Sequence, residues 1–254
     1  INAGKKRIFI DFGELLSSKD LLYFLVLRSF KARYAQSVLG LSWAVIQPLF
    51  TTLIFTIIFG NLAKVSTDGS PYILFSFTAM VVWNYFSNVL NESSLSLVQN
   101  SSIISKVYFP RAVIPLAAVF SKLVDFIISL VVLFAFLIYY GQTPTYQIVY
   151  LPFLLLIIVL FSTGLGLIFS SIAVQYRDVK HAMPFLIQLL LYSGPVIYST
   201  STVPENYLFL YSINPLVGVI EGFRSVFVFS ESIKWVLVWP GLIFSCVIFL
   251  FGNM

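Results

Sequence analysis

The chain has 254 residues, 59% of them hydrophobic and 10% charged, with a formal net charge of +5 and a mean hydropathy of +0.96. Soluble domains carry about 25% charged residues, so this much apolar surface excludes a water-soluble core and makes lipid the solvent. The length leaves room for one membrane domain, residues 1–254, and the cations group where inside loops would lie, a topology signal and not a nucleic-acid signal.

Residues 1–36 read as a cytoplasmic N-terminus with Lys5, Lys6 and Arg7, followed by an interface helix. Ser17-Ser-Lys-Asp20 resembles a capping box. Behind it Leu21, Leu22, Phe24, Leu25 and Val26 form an apolar body, and Arg28, Lys31 and Arg33 a basic end. That pattern suits a helix lying in the inner membrane interface with its cations toward anionic headgroups. The apolar patch is too short for a cleavable signal peptide.

Spans are expected at 38–60, 72–90, 112–140, 148–174, 183–198 and 235–251. The first contains Gln47-Pro48, where a kink is expected because Pro removes a backbone bond. In the second, Asn84, Asn88 and Asn91 recur on one face, and a row of amides belongs against another helix or a wet path, not against lipid. The third carries Lys122 and Asp125 at i, i+3: either a local ion pair or a functional intramembrane charge. In the fourth, Ser162, Gly166 and Ser170 form a ridge of small residues for close packing. Residues 199–234 form an outer re-entrant segment: Pro204–Leu210 and Leu216–Phe229 are each too short to cross, and Glu221 and Arg224 have the spacing of a pair. Pro240-Gly241 marks a bend in the last span. Cys246, the one cysteine, excludes an internal disulfide framework and reads as a buried, inert thiol.

The longest polar interruption, 91–111, lies between the second and third spans. Ser101 or Ser102 is a candidate N-cap; Ile103, Ile104 and Val107 form an apolar patch; Pro110 is a stop. A short helix in such a loop is a surface on which another protein can push. Counting cations puts this loop, the 175–181 turn and both termini in the cytoplasm. The fold class is therefore all-α: about six spans, an amphipathic interface helix, a cytoplasmic loop helix and outer half-helices. No P-loop, no metal-ligand spacing around the single histidine, His181, and no G-x-S-x-G elbow are present. The chain binds no cofactor by this reading, is not an enzyme, and draws its energy from elsewhere.

Arg33-Tyr34, Ser37-Val-Leu-Gly40, Trp43 and Pro48 resemble the N-terminal signature of type-2 ABC transporter permeases that export polysaccharides, the O-antigen, capsule and teichoic-acid exporters. The likeness continues, in order, through Lys106-Val-Tyr-Phe-Pro-Arg-Ala-Val-Ile-Pro115, Tyr176-Arg-Asp-Val179, Gly194-Pro-Val-Ile-Tyr198 and Asn214-Pro-Leu216. The resemblance implies a half-transporter in a bacterial or archaeal inner membrane, paired with a second copy of itself. Two separate ABC subunits would hold ATP and Mg. A coupling helix over about Ser101–Tyr108 would seat in the ATPase, with Ser101, Ser105, Lys106, Tyr108, Phe109 and Arg111 as contacts and Tyr176, Arg177 and Asp178 nearby. The cargo would be a polyprenyl-pyrophosphate-linked glycan; Arg28, Lys31, Arg33 and Arg111 are cations for its pyrophosphate, unless they serve only as inside anchors. Trp83, Asn84, Tyr85 and Asn88 are candidate conduit-lining residues, since flat rings suit the C–H faces of sugars. The family leads one to expect more tail beyond Phe251. Three rivals stay open: an ion-coupled carrier or channel using Asp125, Glu92 or Glu221; a membrane enzyme acting on lipid-linked sugars; and an ABC exporter of another substrate.

Overall fold

The structure, a computed structural model, describes residues 12–35 and 39–253. Lys5, Lys6, Arg7, Ser37 and Val38, named above, lie outside the described residues. The expected all-helical membrane fold is present. Among the described residues five helices are long and apolar enough to cross a membrane, or six if one bent pair counts as a span.

Helix α4 (Tyr72–Gln99) is the axis, packed on α6 (Val113–Tyr139) and α7 (Leu151–Gln175) and touched also by α3 (Trp43–Phe55), α8 (Val179–Ser193) and α10 (Pro215–Arg224). Its close fit with α7 follows from the small-residue ridge: Ser162, Gly166 and Ser170 are buried. A Cβ on Gly166 would lie 2.5 Å from the Ser93 hydroxyl of α4. The partner of the ridge is thus in the same chain. On the other side of α7, a Cβ on Gly164 would strike the backbone of Ile248 and Phe249 in α11 (Trp235–Gly252).

α4 runs nine residues beyond the expected end at Leu90. Ser93, Ser94 and Ser96 look polar in sequence, but all three are buried within the bundle, and two of them return the hydroxyl to a carbonyl one turn back. Ser96 and Ser94 do so at 2.6 and 3.2 Å; Ser93 does not, and its hydroxyl has no partner. The polar composition therefore marks packed helix, not loop.

α3 begins after a single 3-10 turn at Gly40–Ser42, holds Pro48 within a continuous helix, and loosens to π geometry at Thr56–Leu62. It is the most peripheral span. Trp43, Phe50, Leu53 and Ile54 stand exposed on it, a surface suited to lipid or another chain.

α8 has 15 residues, ~22 Å at 1.5 Å per residue, short of the ~30 Å hydrocarbon core. The expected fifth span, 183–198, is thus a helix shifted toward the N-terminus, beginning directly after the Tyr176–Asp178 turn. α9 (Glu205–Ser212) and the α10 stretch to Phe229 meet at 107°. Asn214 makes that corner: its side chain accepts the Leu216 N–H at 3.1 Å, and Pro215 opens α10. Every residue of α10 is buried. Gly218 permits this, since a Cβ there would sit 2.5 Å from the Leu237 carbonyl oxygen of α11.

Before the spans, α1 (Phe12–Ser17) leads into α2 (Lys19–Tyr34), which lays Leu25 against Val113, Ile114 and Ala117 of α6. The expected capping box is not formed. Ser17 and Ser18 both send their hydroxyls back to the Glu14 carbonyl, at 2.8 and 2.9 Å, because a helical turn already precedes them. Cys246 is exposed on α11, not buried as expected, because α11 turns its Ser245 face to the bundle and its Cys246 face outward.

Candidate functional site

Two regions gather the residues singled out from sequence. One is a charge cluster at the junction of α2, α4 and α6. Arg33, at the end of α2, donates to Asp125 of α6 and, at 3.0 Å, to Glu92 of α4. Lys122 reaches Glu92 at 2.8 Å, and the Tyr34 hydroxyl donates to Asp125 at 2.7 Å. Lys122 and Asp125 therefore do not form the local pair that their i, i+3 spacing suggested. Each is matched across helices, which costs less at this depth than leaving either charge alone.

Burial by itself would lower the Arg33 pKa, but Glu92 and Asp125 outweigh it and hold the guanidinium above its usual value. Burial, together with the bond to Asp125, pushes the Tyr34 phenol up to about 12. Glu92 is the member that sequence reading placed least well. Asn84, Asn88 and Glu92 are spaced i, i+4, i+8, so the polar face of α4 continues at Glu92, while Asn91 points outward and is exposed. The signal was in the spacing but was hidden by ending the helix at Leu90.

Arg33, Tyr34, Asn84, Tyr85, Asn88, Lys122 and Asp125 border a cavity of about 250 Å³ whose α3 wall carries Trp43 and Gln47. Trp83 is not part of it. That ring is buried in the core, 5.8 Å from Phe86 between centroids. Tyr85 is also buried, packed at 5.6 Å against Phe126, and only its edge meets the cavity.

The four cations set aside for a pyrophosphate do not converge. Arg28 shares a second polar cavity, about 370 Å³, with Ser29, Arg33, Glu92, Ser96, Gln99 and Asn100. Lys31 points to the exposed side of α2, and Arg111 borders a groove with Leu97 and Ser101 on the loop after α4. Arg33 is already matched by two carboxylates.

The other region is the loop after α4. Its helix, α5, is the single turn Ser101–Ile104, shorter than the expected Ser101–Tyr108. Asn100 holds the cap position rather than Ser101 or Ser102, and its side-chain amide bonds back to the Ser96 carbonyl at 2.8 Å. After Ile104 the chain opens into turns, Ile103 accepting from both Lys106 and Val107, so Pro110 is not what stops it. Ser101, Ser105, Lys106, Tyr108 and Arg111 are exposed, Tyr108 at 96%; Phe109 is half-buried and packs near Leu25 and Ile114. Tyr176, Arg177 and Asp178 are exposed in the turn between α7 and α8.

On the opposite side of the bundle, Glu221 and Arg224 are 3.0 Å apart and nearly inaccessible. Arg224 also donates to the carbonyls of Val196 and Tyr198 and lies 3.5 Å above the Phe75 ring. This pair fastens α10 to α4 and to the turn after α8. Among the described residues no group of three side chains could hold a metal ion.

A bundle of apolar spans with a half-buried ion cluster between helices and an exposed polar loop suits a membrane transport subunit. Residues 20–228 match the ABC-2 type transporter family, and the chain belongs to that family. It is 32% identical over 209 residues to the O-antigen export system permease protein RfbA of Klebsiella pneumoniae, covering 82% of this chain and 80% of that one. The protein of the same name from Myxococcus xanthus is 29% identical over 216 residues, 84% and 82% of the two chains. The polysialic acid transport protein KpsM of Escherichia coli is 25% identical over 205 residues, 78% and 77%.

Proposed function

We propose that the chain is the membrane-spanning subunit of an ATP-driven exporter that moves a polyprenyl-pyrophosphate-linked polysaccharide out of the cytoplasm across the inner membrane. Two copies pair, and two separate ATP-binding subunits hold ATP and Mg beneath them. The observation that carries this reading is the family match over residues 20–228, joined to relatives whose names are those of O-antigen and polysialic acid transport.

The loop 100–111 and the 176–178 turn are the surfaces on which the ATPase pushes. In support, most of their side chains are exposed, Lys106, Arg111 and Arg177 among them, and the loop is joined by one residue to α4, the most buried of the long spans. A push there reaches the bundle axis without passing through a flexible link. The cargo's pyrophosphate is met at Arg28, in the polar cavity beside α2, where Arg33 and Glu92 are already paired with each other. Both termini lie in the cytoplasm, following the cation count.

Depleting the chain tests the substrate: lipid-linked glycan should accumulate inside the cell and vanish from its surface. The Lys106→Glu, Arg111→Glu double variant tests the coupling. It should insert at the normal level, keep ATP hydrolysis in the assembled complex, and lose at least nine-tenths of export. Export unchanged in that variant would remove the loop from the coupling path.

A further inference from the structure

We propose that the cavity between α2, α3, α4 and α6 is a subsite for a neutral, hydroxylated ligand: one sugar ring of the cargo, held within a single subunit. The inference rests on the polysaccharide reading above and adds to it where a sugar is gripped and by what.

The amide of Asn84 starts the argument. Its Nδ2 is buried on the cavity wall without a hydrogen-bond partner. A buried amide donor left unpaired is unfavourable anywhere, and more so at membrane depth, where bulk water cannot repair it. Asn88, one turn on, and Gln47, across from it on α3, turn two more amides to the same space. Side-chain amides donate and accept in equal measure, as do hydroxyl groups, so the lining complements an alcohol better than an ion.

Charge points the same way. Arg33 and Lys122 are matched by Asp125 on the cavity wall and by Glu92 behind it, so the four-residue cluster has no net charge to hold an ion. Phosphate would meet Asp125 and find both cations already paired, and a cation would meet Arg33 and Lys122. The dipoles of these groups remain available to hydroxyls.

Size and rim complete the fit. At about 250 Å³ the space is just under the roughly 300–1,000 Å³ of small-ligand pockets, which suits one ring and not a run of polymer. Trp43, half exposed at the α3 wall, offers a flat face to the C–H side of a sugar while the amides take its hydroxyls. Trp83, a candidate conduit-lining residue by sequence, does not border this cavity; Trp43 does.

The test places a photo-crosslinking amino acid at Ala44, on the cavity wall, and as control at Val131, which is 64% exposed on the outer face of α6. Cells making the glycan are irradiated during export and the chain is probed for attached sugar. An adduct at residue 44 at least tenfold above that at 131 is expected. A second variant, Asn84→Leu with Asn88→Leu, should insert normally and export at least tenfold more slowly, while Asn84→Ser with Asn88→Ser stays within about threefold of the native rate. No adduct at residue 44 while export proceeds, or native export by the double leucine variant, overturns the subsite and leaves the polysaccharide reading standing. Failure of cells lacking the chain to accumulate lipid-linked glycan overturns the reading itself.

Discussion

Arg33 carries more of the architecture than its place in a basic helix end suggests. It is the only described residue of α2 that binds carboxylates from two membrane helices, so removing it leaves Glu92 with Lys122 alone and Asp125 with Tyr34 alone. Arg33→Met should lower stability by about 1–3 kcal/mol, read as a fall in the melting temperature of the solubilised protein. Adding Asp125→Leu to Arg33→Met should cost less than the sum of the two single changes, because the second removes a charge that the first had stranded. The Tyr34 phenol, raised from 10.0 to about 12, keeps its proton on folding. Its contribution is therefore complete below pH ~10 and fades as the pH rises through ~12, so melting between pH 6 and 9 should not depend on it. Arg224 is the stronger case, being wholly buried with Glu221 as its counter-ion. Arg224→Leu strands that acid and should cost about 3–5 kcal/mol, enough to abolish recovery of folded protein.

Helix contacts here are set by what a glycine leaves out. At Gly164 an added methyl would meet main-chain atoms, Phe249 N at 2.7 Å and Ile248 O at 2.8 Å, which cannot step aside. At Gly166 it would meet one side chain, the Ser93 hydroxyl at 2.5 Å, which has no hydrogen-bond partner to lose and can rotate, and the Ser93 Cβ at 2.9 Å, which moves only with α4. Gly164→Ala should thus destabilise by about 1–3 kcal/mol and Gly166→Ala by somewhat less, although sequence spacing singled out Gly166. Melting the two variants side by side checks the ordering; equal losses would mean that α11 yields as easily as a side chain.

The molecule as a whole has two ends of different character. One bears Arg28, Lys31, Lys106, Arg111, Arg177 and Lys180; the other is closed by a lock in which Asp68 accepts from Ser199 and Ser201 and thereby ties the α3–α4 loop to the turn before α9. With Cys246 replaced by serine, a single cysteine at Tyr108 should react with an impermeant maleimide only in inside-out vesicles. One at Lys64 should react only in intact cells with a permeabilised outer envelope. The reverse pattern would invert the orientation and remove the loop from reach of a cytoplasmic ATPase.

Composition and cation grouping alone determined that this is an all-helical membrane protein, where most spans lie, and which loops are basic, because the hydrocarbon solvent imposes length and polarity on each helix separately. The chain motifs likewise sufficed for the family. What folding alone decided are the pairings that depend on distance between helices: Lys122 with Glu92 instead of Asp125, Arg33 with acids instead of free, Trp83 in the core, the small-residue ridge of α7 against α4, and Cys246 outward. A run of serines reads as loop until a neighbouring helix covers it, and a charge reads as free until another helix brings its counter-ion. Sequence spacing reports neighbours along one helix; which faces meet across helices is fixed only when the bundle closes.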